Sequence, residues 1–142
     1  MSSNTKFDCL FRSLTESLGP HGKVLLASNS ACESAKHIRS KDILVVKPFT
    51  PQAIPQLLNT VDTLQNEYKC LSVYPVSTGK NWGYGSATPS TKNENAILLD
   101  MSLLNEVTFF DAESGVISVQ PGVTQQQLYD FLQEQNAPFM VP

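Results

Sequence analysis

The residues that could do chemistry are concentrated in a loop rich in glycine and hydroxyl side chains, Ser77 to Pro89 (STGKNWGYGSATP). The loop directly follows an apolar run, Leu71 to Val76. Because glycine has no Cβ, Gly79, Gly83 and Gly85 permit positive φ and let several backbone N–H groups point at one anion. Such an arrangement captures phosphate oxygens, so the loop predicts a nucleotide or dinucleotide ligand.

The loop does not match two common glycine-rich phosphate motifs. A Walker A loop needs a glycine where this chain has Tyr74, and Ser or Thr where it has Asn81. A dinucleotide-type Rossmann fingerprint beginning at Gly83 needs a third glycine where Thr88 stands, and a helix where Pro89 follows. Taken alone, the loop is explained equally well as a surface turn.

Composition limits the classes of function. The chain has 142 residues, which is enough for one domain, and its net charge is −3 with 10 basic and 13 acidic residues. A protein without basic excess is poorly suited to nucleic acid. No apolar stretch approaches the roughly 20 residues that cross a bilayer, and the first residues do not resemble a secretion signal. We therefore expect a soluble, cytoplasmic protein with no nucleic-acid or membrane partner.

The residue types that commonly bind metals are not grouped. Cys9, Cys32 and Cys70 are far apart and form no CxxC pair, which favours reduced thiols. His21 and His37 have no matching carboxylate or cysteine spacing. We predict neither a metal site nor a catalytic histidine.

Hydrophobic spacing predicts the elements that position the loop. Apolar residues from Phe7 to Leu18 have helical spacing, and Gly19-Pro20 would end that helix. Thr50-Pro51 is typical of an N-cap and first helical position. The apolar face of this second helix would contain Ile54, Leu57, Leu58, Val61 and Leu64. The other predicted elements are strands at 42–47, 71–76 and 96–100, a hairpin of strands at 106–110 and 116–120, and a helix capped by Thr124.

Residues 42–76 thus form a β-α-β unit with the glycine loop at the carboxyl end of its last strand, where open α/β sheets bind ligands. The predicted fold class is α+β, with an α/β-like β-α-β subdomain followed by a mixed sheet.

Two further blocks, Ile97 to Asn105 (ILLDMSLLN) and Val119 to Thr124 (VQPGVT), complete a family pattern. With the loop, they resemble the FAD-binding domain of the vanillyl-alcohol oxidase and p-cresol methylhydroxylase flavoprotein family. The resemblance covers residues 40–142 and implies a helical segment at 1–40 and the first half of a PCMH-type FAD-binding domain at 41–142. In that family the loop wraps the FAD pyrophosphate through backbone N–H groups.

The resemblance implies the following cofactor-binding residues: Ser77, Thr78, Gly79, Lys80, Asn81, Trp82, Gly83, Tyr84, Gly85, Pro121, Gly122 and Val123. Several have simpler explanations. Lys80 could be a solvated loop lysine, and Trp82 and Tyr84 could hold the loop on the sheet. Gly122 would permit close backbone approach to the cofactor.

Two departures from related proteins limit what is expected. Berberine-bridge-type enzymes have a flavin-linking histidine where this chain has Asn81, so we expect FAD to be non-covalent at this loop. The second half of the FAD domain and the substrate domain of family members have no counterpart here. No catalytic residue is therefore predicted, and a completing chain or a second copy is the expected protein partner.

The favoured function is the amino-terminal part of an FAD-dependent oxidoreductase. It would oxidise an alcohol, a 4-substituted phenol or a hydroxy acid by hydride transfer to flavin, and the small-molecule substrate would bind only to a complete enzyme. The alternative is a non-catalytic module that binds a nucleotide or a partner, or an inactive truncated fragment. In either case we expect the isolated chain to be inactive.

Overall fold

The computed structural model describes residues 3–27, 43–68, 71–78 and 95–141. None of the helices in these ranges is long and apolar enough to cross a membrane. The elements are helix α1 (Ser3–Leu18), a short 3-10 turn (Gly19–His21), strands β1 (Gly22–Ala27) and β2 (Ile43–Pro48), helix α2 (Ala53–Leu64), strands β3 (Ser72–Val76), β4 (Ala96–Asp100), β5 (Val107–Asp111) and β6 (Val116–Val119), and helix α3 (Gln125–Glu134).

The main sheet has four strands in the order β1-β2-β4-β3. Strands β2 and β3 are both parallel to β4, and β1 is antiparallel to β2. The predicted β-α-β unit is confirmed, but β4 lies between its two strands. All five residues of β4 are buried, as expected for a central parallel strand whose two faces are covered.

Helices α1 and α2 pack on one face of the sheet. Their buried residues include Leu14, Leu18 and Leu57, which join Leu44 and Ile97 of the sheet in one apolar core. A second, smaller cluster on the other face is formed by Ile43, Val45, Val76, Ala96 and Leu98. Successive residues of β2 and β4 therefore alternate between two apolar clusters, which is why both strands read as continuous apolar runs.

Two sequence-based expectations about this layer are wrong, and one of its strands was not predicted. Helix α2 begins at Ala53, and its N-cap, Gln52, makes no side-chain capping bond, so Thr50 is not the cap. Leu58 is 47% exposed and does not belong to the apolar face of α2. Strand β1 was not predicted, because its exposed Leu25 and Leu26 break the alternation that indicates a half-buried strand.

The second sheet is the predicted hairpin, β5 paired with antiparallel β6. Gly115 in its turn has a φ of 69°, a conformation that favours glycine. The ring of Phe110 packs edge-on against Phe131 of α3 and against Phe139. The predicted cap of α3 is confirmed, because Thr124 and Gln127 form a capping box.

The two leucines of α2 test the packing of this layer. Leu57 is fully buried and Leu58 is half-exposed. We expect Leu57→Ala to lower the free energy of unfolding by about 2–5 kcal/mol because it leaves a cavity in the core. Leu58→Ala, the matched control, should cost at most about 1 kcal/mol. Urea denaturation followed by circular dichroism measures both, and equal losses would contradict the packing described.

Candidate functional site

The parallel strands β2, β3 and β4 end at one edge of the sheet, which we call the carboxyl edge. Strand β3 ends at Val76 and β4 at Asp100, and these two residues are paired. One residue further on, the backbone N–H of Met101 donates to the Val76 carbonyl at 2.9 Å. The start of the glycine loop, Ser77, is therefore held beside the turn that follows β4.

The structure places only the first two residues of the predicted phosphate loop. Ser77 and Thr78 are half-buried at the end of β3, and neither hydroxyl bonds to another described residue. The rest of the predicted loop lies outside the described residues: Gly79, Lys80, Asn81, Trp82, Gly83, Tyr84 and Gly85. Their contacts with a cofactor stay a prediction.

An ion pair joins two strands at the carboxyl edge. The Lys47 Nζ lies 2.7 Å from Oδ2 of Asp100, whose side chain is 1% exposed, compared with 19% for that of Lys47. The other carboxylate oxygen, Oδ1, accepts a hydrogen bond from the backbone N–H of Ser102 at 3.0 Å. Through this second contact Asp100 fixes the turn that follows β4. The pairing with Lys47 was not predicted, because Lys47 lies on a different strand far earlier in the chain.

Burial and hydrogen bonding act on Asp100 in opposite directions. Burial favours the neutral acid and raises the pKa of its carboxyl group, but hydrogen bonds from Lys47 and Ser102 and the charge of Lys47 outweigh it. The pKa of Asp100 therefore lies below its ordinary value of 3.8. A buried carboxylate held in this way needs its cation, since an unpaired charge in the same place would be strongly destabilising.

Gly122 packs against the turn of residues 101–104. Its N–H donates to the Leu104 carbonyl at 2.7 Å. A Cβ at position 122 would lie 2.6 Å from the Met101 oxygen, 2.7 Å from that of Leu104 and 2.9 Å from that of Ser102. Three backbone atoms cannot all move aside, so the chain's own packing requires glycine here. This reason differs from the close cofactor approach that sequence reasoning suggested.

The neighbours of Gly122 have different environments. Pro121 is exposed, and Val123 is half-buried with its N–H donating to the Gln120 carbonyl at 3.1 Å. The structure thus brings Pro121, Gly122 and Val123 to the turn that also touches β3. Their contact with a cofactor stays a prediction.

Thr50 is a polar residue at this edge that sequence reasoning assigned to a different role. It lies two residues after β2, and its hydroxyl oxygen is buried without a hydrogen-bond partner in the part of the chain that the structure describes. A buried hydroxyl normally has one, so an orphan at a sheet edge indicates a place for an acceptor. The only signal in the sequence was a hydroxyl residue two positions after a buried strand.

The donors at the carboxyl edge fit the anionic diphosphate of FAD. Thr50, Ser77 and Thr78 supply hydroxyl groups that can donate to phosphate oxygens. The carboxylate of Asp100 is compensated by Lys47, so it does not oppose an anion at the same edge.

Asp100 also predicts a pH dependence of stability. Its folded pKa is depressed, so its stabilising contribution is present above about pH 4 and is lost as the pH falls through the folded pKa. We expect the free energy of unfolding to fall more steeply for the wild type than for Asp100→Asn between about pH 4 and pH 2. Denaturant titrations at several pH values measure this. Asp130→Asn, at an exposed position of α3, controls for the loss of one negative charge. Equal pH dependence of the free energy of unfolding in the wild type and in Asp100→Asn would contradict the lowered pKa of Asp100.

Comparison with known proteins agrees with this fold. A family model described as the FAD binding domain matches residues 44–141. The 4-cresol dehydrogenase [hydroxylating] flavoprotein subunit of Pseudomonas putida is 32% identical over 127 residues, which are 89% of this chain and 22% of the relative. The 1'-carboxy-chondrochloren decarboxylase of Chondromyces crocatus is 41% identical over 69 residues, 49% of this chain and 12% of that protein.

Solved structures show the same architecture. A crystal structure of p-cresol methylhydroxylase with substrate bound has a TM-score of 0.72 at 27% identity, over 97% of this chain and 26% of that one. The berberine bridge enzyme from Eschscholzia californica has a TM-score of 0.62 at 19% identity, over 89% of this chain and 26% of that one, and supports the fold alone. The chain spans 26% of the length of p-cresol methylhydroxylase, 22% of the Pseudomonas relative and 12% of the Chondromyces relative.

The family expected from the loop and its two companion blocks is therefore confirmed, together with the α+β fold class. Because the family match covers more than half of the chain, the protein belongs to the FAD-binding domain family, and it is similar to p-cresol methylhydroxylase-type flavoproteins.

Proposed function

We propose that the chain binds FAD at the carboxyl edge, with the diphosphate held between the Ser77–Gly85 loop and the Pro121–Val123 turn. One observation carries the placement. The turn of residues 101–104 bonds to the end of β3 through Met101 and to Gly122 through Leu104. Two sequence blocks about 40 residues apart in the chain thus meet at one place, next to hydroxyl groups that have no partner among the described residues.

The roles of the chain's own residues follow from their chemistry. The hydroxyls of Ser77 and Thr78 donate to phosphate oxygens, together with backbone N–H groups of the loop. Thr50 adds a third donor from the end of β2, on the other side of β4. Lys80 contributes a positive charge. Bound FAD supplies hydride acceptance, while the protein binds and orients it.

We further propose that the parent activity is oxidation of an alcohol, a 4-substituted phenol or a hydroxy acid by hydride transfer to flavin. The similarity to a 4-cresol dehydrogenase flavoprotein subunit supports a phenolic substrate. The similarity to a decarboxylase supports an acid as an alternative kind of substrate. The chain spans 22% of the Pseudomonas relative, and we propose no substrate-binding or proton-transfer group within it.

The spectrum of the purified protein tests FAD binding. We expect flavin absorption bands that survive desalting, and complete release of flavin on acid denaturation, because Asn81 cannot form the covalent link made by histidine. Colourless protein that also fails to bind added FAD would rule out a cofactor site in this chain. Flavin that remains attached to a peptide from residues 77–85, detected by mass spectrometry, would contradict non-covalent binding.

Loop glycines test where the diphosphate binds. Gly79→Val or Gly83→Val should weaken FAD binding by about 1–3 kcal/mol, because a β-branched residue resists positive φ. Gly115→Val, in the β5–β6 turn where φ is 69°, introduces the same side chain away from the proposed site and should leave the affinity unchanged. Titration with FAD, followed by quenching of flavin fluorescence, measures all three. Unchanged affinity in both loop variants would show that this loop does not hold the phosphates.

A further inference from the structure

We propose that the Lys47–Asp100 ion pair is a positioning device that holds the turn of residues 101–104 and, through it, both sides of the FAD site. The inference rests on the proposed function for its ligand. Its geometry involves only described residues, none of which needs to touch the cofactor.

The first step is the arrangement of the carboxylate. Asp100 uses one oxygen for Lys47 on β2, at 2.7 Å, and the other for the backbone N–H of Ser102, at 3.0 Å. One buried side chain therefore joins the end of the neighbouring strand to the turn after its own strand. Because both contacts are directional, they determine where the turn begins.

The second step is transmission from the turn. Met101 donates to Val76 at 2.9 Å, directly before Ser77. On the other side, the carbonyl oxygens of the turn leave no room for a Cβ at Gly122. Contacts this close do not tolerate sliding, so a displaced turn also displaces Ser77 and Gly122 from their places at the carboxyl edge.

The third step concerns the reason for a buried ion pair at a position where apolar side chains could pack. Buried ion pairs are often no more stabilising than packed apolar residues of similar volume. Apolar contacts, however, lack the direction of a two-oxygen carboxylate. The pair is therefore explained by the geometry it imposes rather than by the stability it adds, and supporting residues of this kind act by orienting the groups that bind.

The test uses variants that separate geometry from stability. Lys47→Met/Asp100→Asn removes both charges and leaves no unpaired charge buried, so the chain should stay folded even if Asp100→Asn alone does not. Val61→Ala, a buried site on α2, controls for a general loss of stability. Lys47→Arg keeps the cation and should preserve the wild-type behaviour.

Amide hydrogen exchange of the ligand-free protein measures how firmly the turn of residues 101–104 is held. In the double variant we expect the amides of Met101 and Gly122 to exchange at least about tenfold faster, with core amides such as that of Leu57 unchanged. Unchanged exchange at Met101 and Gly122 would overturn the proposal, whether or not FAD binds.

FAD titration supplies the second readout. The double variant should bind FAD about tenfold or more weakly, the size of loss seen when supporting groups of a binding site are removed. Val61→Ala should bind as the wild type does. Equal weakening in both would show a merely structural role and overturn the proposal. Absence of FAD binding by the wild type would refute the proposed function instead, and the exchange measurement would still decide the role of the pair.

Discussion

The buried carboxylate of Asp100 is the interaction on which the rest of the site depends. It lies at the end of the central strand β4, and its contacts reach β2 through Lys47 and the following turn through Ser102. A charge in this position is costly unless its partners are in place, so the ion pair and the hydrogen bond favour one arrangement of the ends of β2 and β4 and of the turn after β4. The edge where parallel strands end is thereby given a defined shape before any ligand is considered.

Gly122 shows how that shape spreads to a distant part of the chain. Its position against three carbonyl oxygens explains the glycine without a cofactor. The same contact brings the turn before α3 to the carboxyl edge, where the predicted phosphate loop starts at Ser77. Gly122, which the sequence suggested as a cofactor contact, is thus part of the packing that brings the proposed binding segments together.

Most elements were predictable where local signals were strong. Continuous apolar runs predicted β2 and β4, and Thr124, as a predicted cap, marked the start of α3. Prediction failed where the outcome depended on neighbours. Strand β1 is held by its pairing with β2 rather than by its own pattern, and Leu58 has helical spacing but faces away from the core. Thr50 has the chemistry of a cap, yet the helix starts three residues later.

By itself, the sequence determined the family, through the resemblance of three short blocks to a known pattern. It also determined the α+β class and the order of most elements, because apolar periodicity and capping residues act over a few neighbouring positions. Tertiary structure alone decided that β4 enters between the two strands of the β-α-β unit, that Lys47 pairs with Asp100, and that Gly122 packs on the turn after β4. These contacts join residues far apart in the chain. No local pattern encodes them, since they form only when the strands assemble side by side and bury their ends together.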